Sequence, residues 1–567
     1  MRRSGGLVCA RARSLALPLA LLVGLGAGGV ASAKPPDEVR TFHTPPKEPG
    51  KDDLFVDIHP EYRTRIIGID PLELNGIVAQ GVLWGEQRLR VDASVGLRGV
   101  GAIHMQLDAL DGVLFGDNGE FGKSPEPTSG LGIASRQANN AGWEVGLRPG
   151  ADPLQVESYG PVLREIDPIH INYLYGEVLL PIGVLRIGRQ PVSETGSVSL
   201  NDGATGRNRW GASFYHESVD RILFGTKISE VFNVIAQGPD YQIDTSLDDG
   251  VFLGLVYDFL VDDDITTQDD DLKGVSAQLD FRWKKPGLGP EWGPMRFTAT
   301  LTYRWDERFN TGIFALPVRA SFDVADFSFK GELTYITGST RELAAGFAEL
   351  TNAEVTDQDI RLLSSRVMLD YEVGPFTFAL EWGYADGDGD PRTTTPLTTT
   401  SWPRDTNLGL LLFEHTLAFQ TARSAAVGIE NLKQLDAESF PLTEVSTDGR
   451  VTNVNAIFPQ VFFDPIPELR LKAGVLLAWA AAPVVDPIQS LLRYDGTEID
   501  DDLVNYHGGK PGRYWGTEVD LGLEWTYRDF FEAAFEFGIL FPGDALEDEN
   551  GDAVNSWMLE SRFTFHL

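Results

Sequence analysis

From about residue 61 to its end the chain repeatedly alternates apolar with polar residues, and few folds accept that pattern at this length. In RLRVDASVGLR (88–98), Leu89, Val91, Ala93, Val95 and Leu97 share one side, and Arg88, Arg90, Asp92, Ser94 and Arg98 share the other. A repeat of two is the repeat of a β-strand. It recurs in GVSAQLDFRWK (274–284), FTATLTYRW (297–305), FSFKGELTY (327–335), RVMLDYEV (366–373), EVDLGLEWTY (518–527) and FEAAFEFGILF (531–541). Strands of soluble sheets usually run about 5 or 6 residues, whereas a tilted strand that crosses a bilayer needs about 9 to 11. Most of these runs are of the second kind. Aromatic residues close the apolar stripes at Trp283, Trp305, Tyr335, Trp525, Tyr527, Phe531 and Phe541, where an interfacial girdle belongs.

The connections alternate as well. Pro181-Ile182-Gly183, Gly374-Pro375 and Arg528-Asp529 are tight, while 258–271, 495–502 and 542–555 are long and hold seven, five and five acids with no Lys or Arg. Short turns at one rim and long polar loops at the other are the pattern of an outer-membrane barrel. The expected fold is therefore all-β: a transmembrane antiparallel β-barrel of about 16 to 18 strands, with short periplasmic turns and long acidic extracellular loops.

The amino terminus agrees. Arg2, Arg3, Arg11 and Arg13 precede an apolar run, Leu15 to Val30, that ends at Ala31-Ser32-Ala33, the layout of a secretory signal peptide cleaved after residue 33. Cleavage removes four positive charges and takes the formal charge from −36 to −40. It also removes Cys9, the single cysteine, so disulfide and thiolate chemistry are excluded from the mature chain. Residues 34–60 are rich in proline and charge and read as an extended periplasmic tether, leaving 61–567 as the barrel. An acid excess this large excludes nucleic acid as a partner. A mean hydropathy of −0.13 excludes a bundle of membrane helices.

The last residues, WMLESRFTFHL, place Trp557, Leu559, Phe563, Phe565 and Leu567 on one face. Bacterial outer-membrane barrels commonly end in such a strand, which resembles the signal read by the barrel-assembly machinery. Two stretches resist the alternation. Residues 112–165 read as a long loop at the surface or in the lumen, and 409–428 as either a bulged strand or a short helix within a loop.

Four segments resemble a group of uncharacterised myxobacterial-type outer-membrane barrels and, more distantly, porins of the alginate-export kind. They are RLRVDASVGLRGVGAIHMQLDALDG (88–112), YGEVLLPIGVLRIGRQPV (175–192), Asn201-Asp202-Gly203 and DRILFGTKI (220–228). The resemblance implies a barrel in the outer membrane and carries no functional residue across.

Parity then assigns a wall. A charge facing hydrocarbon near the midplane costs about 2 to 4 kcal/mol, so charged positions of the strands face the lumen or a rim. Along the first strands this selects Arg88, Arg90, Asp92, Arg98, His104, Gln106 and Asp108 as pore-lining candidates. Arg221, Lys227, Asp280, Arg282, Arg366 and Asp370 continue the ring, with Glu518, Asp520 and Glu524 near its end. Lys330, Glu332 and Glu372 have the same parity. Arg189 breaks it, in register with Leu185 and Ile187, and belongs at the interface or after a bulge. Asp386-Gly387-Asp388-Gly389-Asp390 looks like a calcium loop, but Leu397 stands where an EF-hand needs its bidentate Glu. A simple solvated loop is the favoured reading there, with loose binding of divalent cations by this and the other acidic loops as the alternative.

No HExxH, G-x-S-x-G or P-loop is present, and the eight histidines have no metal-ligand spacing, so neither an enzyme nor a cofactor or metal centre is expected. A barrel of about 16 or more strands has a lumen too wide for side chains alone to fill. Mixed acidic and basic rings suit a porin-like channel that lets small polar or charged solutes pass, in uptake or export. The alternatives are a closed barrel acting as a surface scaffold or adhesin through its acidic loops, and an outer-membrane hydrolase built on a Ser/His pair from separate strands. The partners expected are outer-membrane lipid, the assembly machinery and small solutes. The oligomeric state is left open, a trimer being one option.

Overall fold

The computed structural model describes residues 53–71, 74, 81–116, 141–142, 162–163, 169–192, 198, 208–212, 218–238, 241–244, 246–260, 272–351, 354–390, 392–403, 406–418, 420–421, 447, 449–485, 511–548 and 550–567. The leader, residues 34–52, most of 117–168 and the acidic stretches 261–271 and 495–502 lie outside them.

The alternating runs form 18 strands in a single sheet. In chain order they are Leu54–Asp70 (β1), Val82–Leu97 (β2), Gly101–Gly116 (β3), Ile169–Leu180 (β4), Gly183–Pro191 (β5) and Ser218–Lys227 (β6). Gly250–Leu260 (β7), Leu272–Trp283 (β8), Trp292–Asp306 (β9), Thr311–Val324 (β10), Phe327–Thr340 (β11) and Gln358–Val373 (β12) follow. Phe376–Ala385 (β13), Val454–Ile466 (β14), Leu469–Trp479 (β15), Tyr514–Tyr527 (β16), Phe531–Pro542 (β17) and Ser556–His566 (β18) complete the set. Each pairs antiparallel with its neighbours in sequence. The sheet closes where β1 meets β18, from Glu61 opposite His566 to Asp70 opposite Trp557. Closure leaves no edge strand and gives every backbone ladder a partner.

Period two becomes two surfaces. On β18, Trp557 and Leu559 are exposed outside, while Met558 and Glu560 are completely buried inside. The exterior is apolar around the whole shell, with Leu255, Leu279, Leu301, Leu316, Leu333, Ile457, Val475 and Leu521 among its exposed residues. Aromatics mark both margins. Phe281 stacks with Trp283, Phe376 with Phe463, and Phe531 packs on Phe565 near the short turns. Tyr303 stacks with Trp305, Trp382 with Tyr384, and Trp479 packs on Tyr514 near the long loops. Phe297 and Trp305 lie eight residues apart on one stripe of β9, about 27 Å along a strand at ~3.4 Å per residue. After tilt this matches an apolar band of about 25 Å. Among the described residues no helix is long and apolar enough to cross a membrane, a statement that leaves strands untouched.

Two boundaries differ from the sequence reading. The first strand begins at Leu54, inside the segment read as tether, because Leu54, Val56 and Ile58 continue the outward stripe and Leu54 to Pro60 pair with Leu97 to Val91. Pro60 is tolerated where β18 has just ended and only its carbonyl is needed, by the Leu567 N–H at 2.9 Å. Asp258 is in β7 and not in an acidic loop; it faces inward and is buried against Arg221.

The rims are also less uniform than the turn lengths suggest. The β9–β10 connection on the long-loop side is only residues 307–310. On the short-turn side a helix, Ile228–Gln237 (α1), follows β6 without a break. The Asp244 N–H donates to Glu230 at 2.8 Å, and Tyr241 and Asn233 add two more bonds. These bonds, the Asp244 N–H first, hold the Glu230 carboxyl below its usual range. A depressed carboxyl stabilises above the ordinary value of 4.5 and is lost as pH falls through the lowered one. The protection factor of the Asp244 amide, corrected for the intrinsic exchange rate, is expected to be high at and above pH 4.5 and to fall as pH drops through the lowered value, and Glu230→Gln should lower it throughout. For the shell, Leu301→Arg in vesicle-refolded protein should lower stability in a urea titration by about 2 to 4 kcal/mol.

Candidate functional site

The lumen holds the chemistry, and its two sides differ. A second α-helix, Glu342–Thr351 (α2), covers part of the long-loop rim, but the segment between β13 and β14 turns inward. Leu408, Leu410, Leu411, Leu412 and Phe413 on this segment are buried in one apolar cluster with Trp84, Ile67, Phe458, Leu476 and Met558 of the wall. Residues Leu412–Leu417 form a π-helical turn, so the helix reading of 409–428 holds for its described part. The wall makes room where it has glycine: Gly383 faces Trp402 and Gly538 faces Leu410.

One carboxylate anchors the turn. Glu518 on β16 accepts the N–H groups of Leu410, Leu411 and Leu412 at 2.5, 2.8 and 2.7 Å. These amides open a helical turn and have no partner within it, so an anionic acceptor there is favourable. Gly409, at φ 79°, brings the backbone this close; a Cβ would meet the Glu518 carboxylate at 2.8 Å. A second inward segment, 208–212, lies alongside. Asn407 donates to the Trp210 carbonyl at 3.1 Å, Trp210 donates to Gln460 at 2.9 Å, and the Gly211 N–H donates to Glu536 at 3.2 Å.

Beneath both segments runs an alternating chain of charge. Glu86 on β2 meets Arg65 on β1 at 2.6 Å, and Arg65 meets Glu560 on β18 at 3.3 Å. Arg562 joins Glu560 at 3.0 Å to Glu536 at 3.1 Å. Lys472 then links Glu536 at 2.5 Å to Glu524 at 2.7 Å. Lys472 also donates to the Arg209 carbonyl at 2.7 Å, so the chain holds the second segment too. Buried charges are costly alone and tolerable only when paired and hydrogen-bonded.

The pore-lining candidates separate into groups. Arg88, Arg90, His104, Gln106 and Asp108 are buried on the inner wall, and Asp92 is half-buried there. They pair across neighbouring strands: Arg90 holds Asp108 at 2.7 and 2.6 Å, Arg88 meets Glu61 at 3.0 Å, and Gln106 and Tyr173 donate to Asp92 at 2.6 and 3.0 Å. His104 lies 2.8 Å from Ser94, and Arg221 meets Asp258 at 2.8 Å. Glu518 and Asp520 are covered by the inward segment, so they support it and line no open passage.

Arg98 and Lys227 are displaced from the lumen to the short-turn rim, because β2 ends at Leu97 and β6 ends at Lys227. Arg98 lies over Phe55, and Lys227 pairs with Asp244 at 2.8 Å. Arg189 points outward, paired with Asp220 at 3.0 Å and exposed, as its parity requires.

A third group stays accessible to solvent. Asp280 accepts from Arg296 at 2.7 Å and Arg282 at 2.8 Å, and the two arginine side chains remain 34% and 26% exposed. Arg319 faces Glu332 at 3.4 Å, Asp370 takes Arg209 at 2.7 Å, and Arg366 takes Glu381 at 2.6 Å. Lys330 and Glu372 are exposed. The more accessible inner wall is therefore the arc β8–β12, although Arg209 of the second inward segment reaches Asp370 and the Val198 N–H reaches Glu332 at 3.1 Å.

Sequence reasoning missed Arg65, Glu86, Glu536, Glu560, Trp84 and the inward segments. Trp84, Glu86, Arg88 and Arg90 share one parity, so the inward face of β2 is legible in the residues, but its apolar end at Trp84 departs from the rule that apolar positions face lipid. The carboxylates of the Asp386–Asp390 loop already have partners within the protein. Asp386 accepts from Tyr384 and Leu363, Asp388 from Asp390 and Thr398, and Asp390 pairs with Arg392, so its carboxylates are spent on the loop's own backbone and arginine. Among the described residues no group of three or more His, Cys, Asp or Glu is placed to hold a metal.

No family model matches the chain. A curated 3-phosphoshikimate 1-carboxyvinyltransferase from Burkholderia vietnamiensis (strain G4 / LMG 22486) is 27% identical over 186 residues, 32% of this chain and 40% of that protein. The chain thus spans about two fifths of its length. Solved structures similar to the chain include the Pseudomonas aeruginosa proteins OccK9 (OpdG) and OpdQ. They are each 9% identical, with TM-scores of 0.45 and 0.43, covering 90% of this chain and 98% and 97% of theirs. OccK2 (OpdF) of the same organism, in complex with glucuronate, is 10% identical with a TM-score of 0.42, covering 90% of this chain and 97% of its own. Superpositions this loose say nothing about what this chain carries.

Two substitutions test the inner architecture. Arg65→Met leaves Glu86 and Glu560 buried beside each other without their shared cation and should cost about 3 to 5 kcal/mol in unfolding from detergent micelles. Gly409→Ala should leave the shell intact, by heat-modifiable gel migration, while releasing the inward turn to protease.

Proposed function

We propose that the barrel sits in the outer membrane and conducts small polar or charged solutes passively along the β8–β12 side of its lumen. One observation carries this reading: the inner wall is asymmetric, covered by segments 208–212 and 406–421 on one side and lined by partly exposed, mixed-sign side chains on the other. A covered wall narrows a lumen that would otherwise pass most solutes without discrimination, and the charged arc gives the remaining passage a transverse field. Arg282, Arg296 and Arg319 against Asp280, Glu332 and Asp370 would make that field, which suits solutes carrying charge or strong dipoles. No reaction is assigned.

A closed barrel that presents its loops to a surface partner is the second reading, and the packing of Glu518 against the inward turn favours it. Planar-bilayer recording separates the two. A channel gives discrete conductance steps, and Arg296→Glu with Arg319→Glu shifts its selectivity toward cations. Deleting 406–421 enlarges the steps. Silence from the native protein together with conduction by the deletion variant would mean that the inward turn keeps the barrel shut.

A further inference from the structure

The polarity of α1 is inverted for a helix in water. Ile228, Val231, Phe232 and Ile235 form one face at helical spacing; Ser229, Glu230, Asn233 and Gln237 form the other. The polar face is packed at Ser229, Glu230 and Asn233, with Gln237 at its end exposed. Glu230 is buried and takes bonds from Asp244, Tyr241 and Asn233, and Ser229 accepts the Val251 N–H at 3.3 Å. The apolar face is open, with Phe232 63% and Ile235 74% exposed. Such an arrangement is stable where the medium is itself apolar.

The surroundings of α1 are of the same kind. It follows Lys227 with no linker, so it starts where the outward stripe of β6 ends. Thr226 donates to the Ile182 carbonyl, which puts the exposed Ile182 of the β4–β5 turn beside it. Ile243 and Leu247, downstream of α1, and Leu288 in the β8–β9 turn are also exposed. The turns Ala325-Asp326, Gly374-Pro375 and Pro467-Glu468 on the same rim carry no large aliphatic residue.

We propose that α1 lies in the lipid interface on the short-turn side, with Phe232 and Ile235 among the acyl chains, seating the β4–β9 arc of the barrel in that leaflet. The inference rests on the membrane-spanning reading above. Lipid is the occupant because α1 starts directly after β6, whose outward stripe, Ile222 among it, is apolar and exposed.

Site-directed spin labels test this in the full chain with Cys9→Ser, which has no other cysteine. Ile235→Cys is labelled in vesicles of phosphatidylethanolamine and phosphatidylglycerol, with Leu255→Cys on the outer face of β7 and Asp326→Cys in a turn as references. Phe232→Cys serves as a second site on the same face. The expected result is that the label at 235, like that at 255, collides with oxygen and is shielded from a water-soluble nickel complex, with an oxygen-to-nickel ratio several-fold above that at 326. A ratio at 235 equal to that at 326 overturns the proposal. Shielding at 235 from both reagents overturns it too and points to protein cover by a second copy or another partner. Nickel access at 255 means the barrel is not in the bilayer, and the membrane reading then fails with it.

Discussion

A sheet surrounded by hydrocarbon cannot leave an edge unpaired, and the rest of this structure follows from meeting that demand. Each N–H and C=O must find its partner within the protein, so the strands close on themselves, β18 against β1. Once closed, the sheet has only an outside and an inside. The side-chain period of two sends one residue to lipid and the next to the lumen, which moves nearly all strand charge inward. Arg189 and Asp220, side by side on the outer face, pair with each other.

Charge collected inside a cylinder has to be arranged. Along β2 to β7 neighbouring strands neutralise one another directly, as Arg90 does with Asp108 and Arg221 with Asp258. Along β15 to β18 and on to β2 the same economy extends into a line from Glu86 to Glu524, and it does more than neutralise. Carboxylates of this wall, Glu518 and Glu536, take backbone amides of segments that reach in from the loops. The inner wall therefore supports a second layer of structure, and the asymmetry of that layer is what leaves one arc of the lumen more accessible than the rest.

Much of this was legible in the chain itself. The runs around Leu89, Leu279 and Leu301 specified strands, their length pointed to a bilayer, and alternating turn lengths specified antiparallel order. Parity placed Arg90, Asp108, Asp280 and Glu518 on the inside without any coordinate. It left lumen and rim undivided at strand ends: Arg98 and Lys227 have the right parity, but β2 stops before the first and β6 at the second, which puts both at the short-turn rim. It failed at the inner apolar patch, where Trp84, Ile67 and Phe458 face the lumen against the rule that apolar means lipid. Those residues answer to Leu410 and Phe413, hundreds of positions away in the chain for Ile67 and Trp84, and a local period carries no such information.

The sequence by itself determined the shell: strand identity, inward and outward faces, aromatic margins and closed antiparallel order, all set by a repeat of two residues and the energy of placing charge in hydrocarbon. Tertiary structure alone decided what fills the lumen. Which acid meets which base, and that 406–421 enters the barrel to lie on Glu518, depend on bringing together strands far apart in sequence, and on backbone amides whose need for an acceptor is invisible in residue types. The polarity of α1 lies between these cases: its two faces can be read from spacing, but only the fold shows that the polar one is turned in.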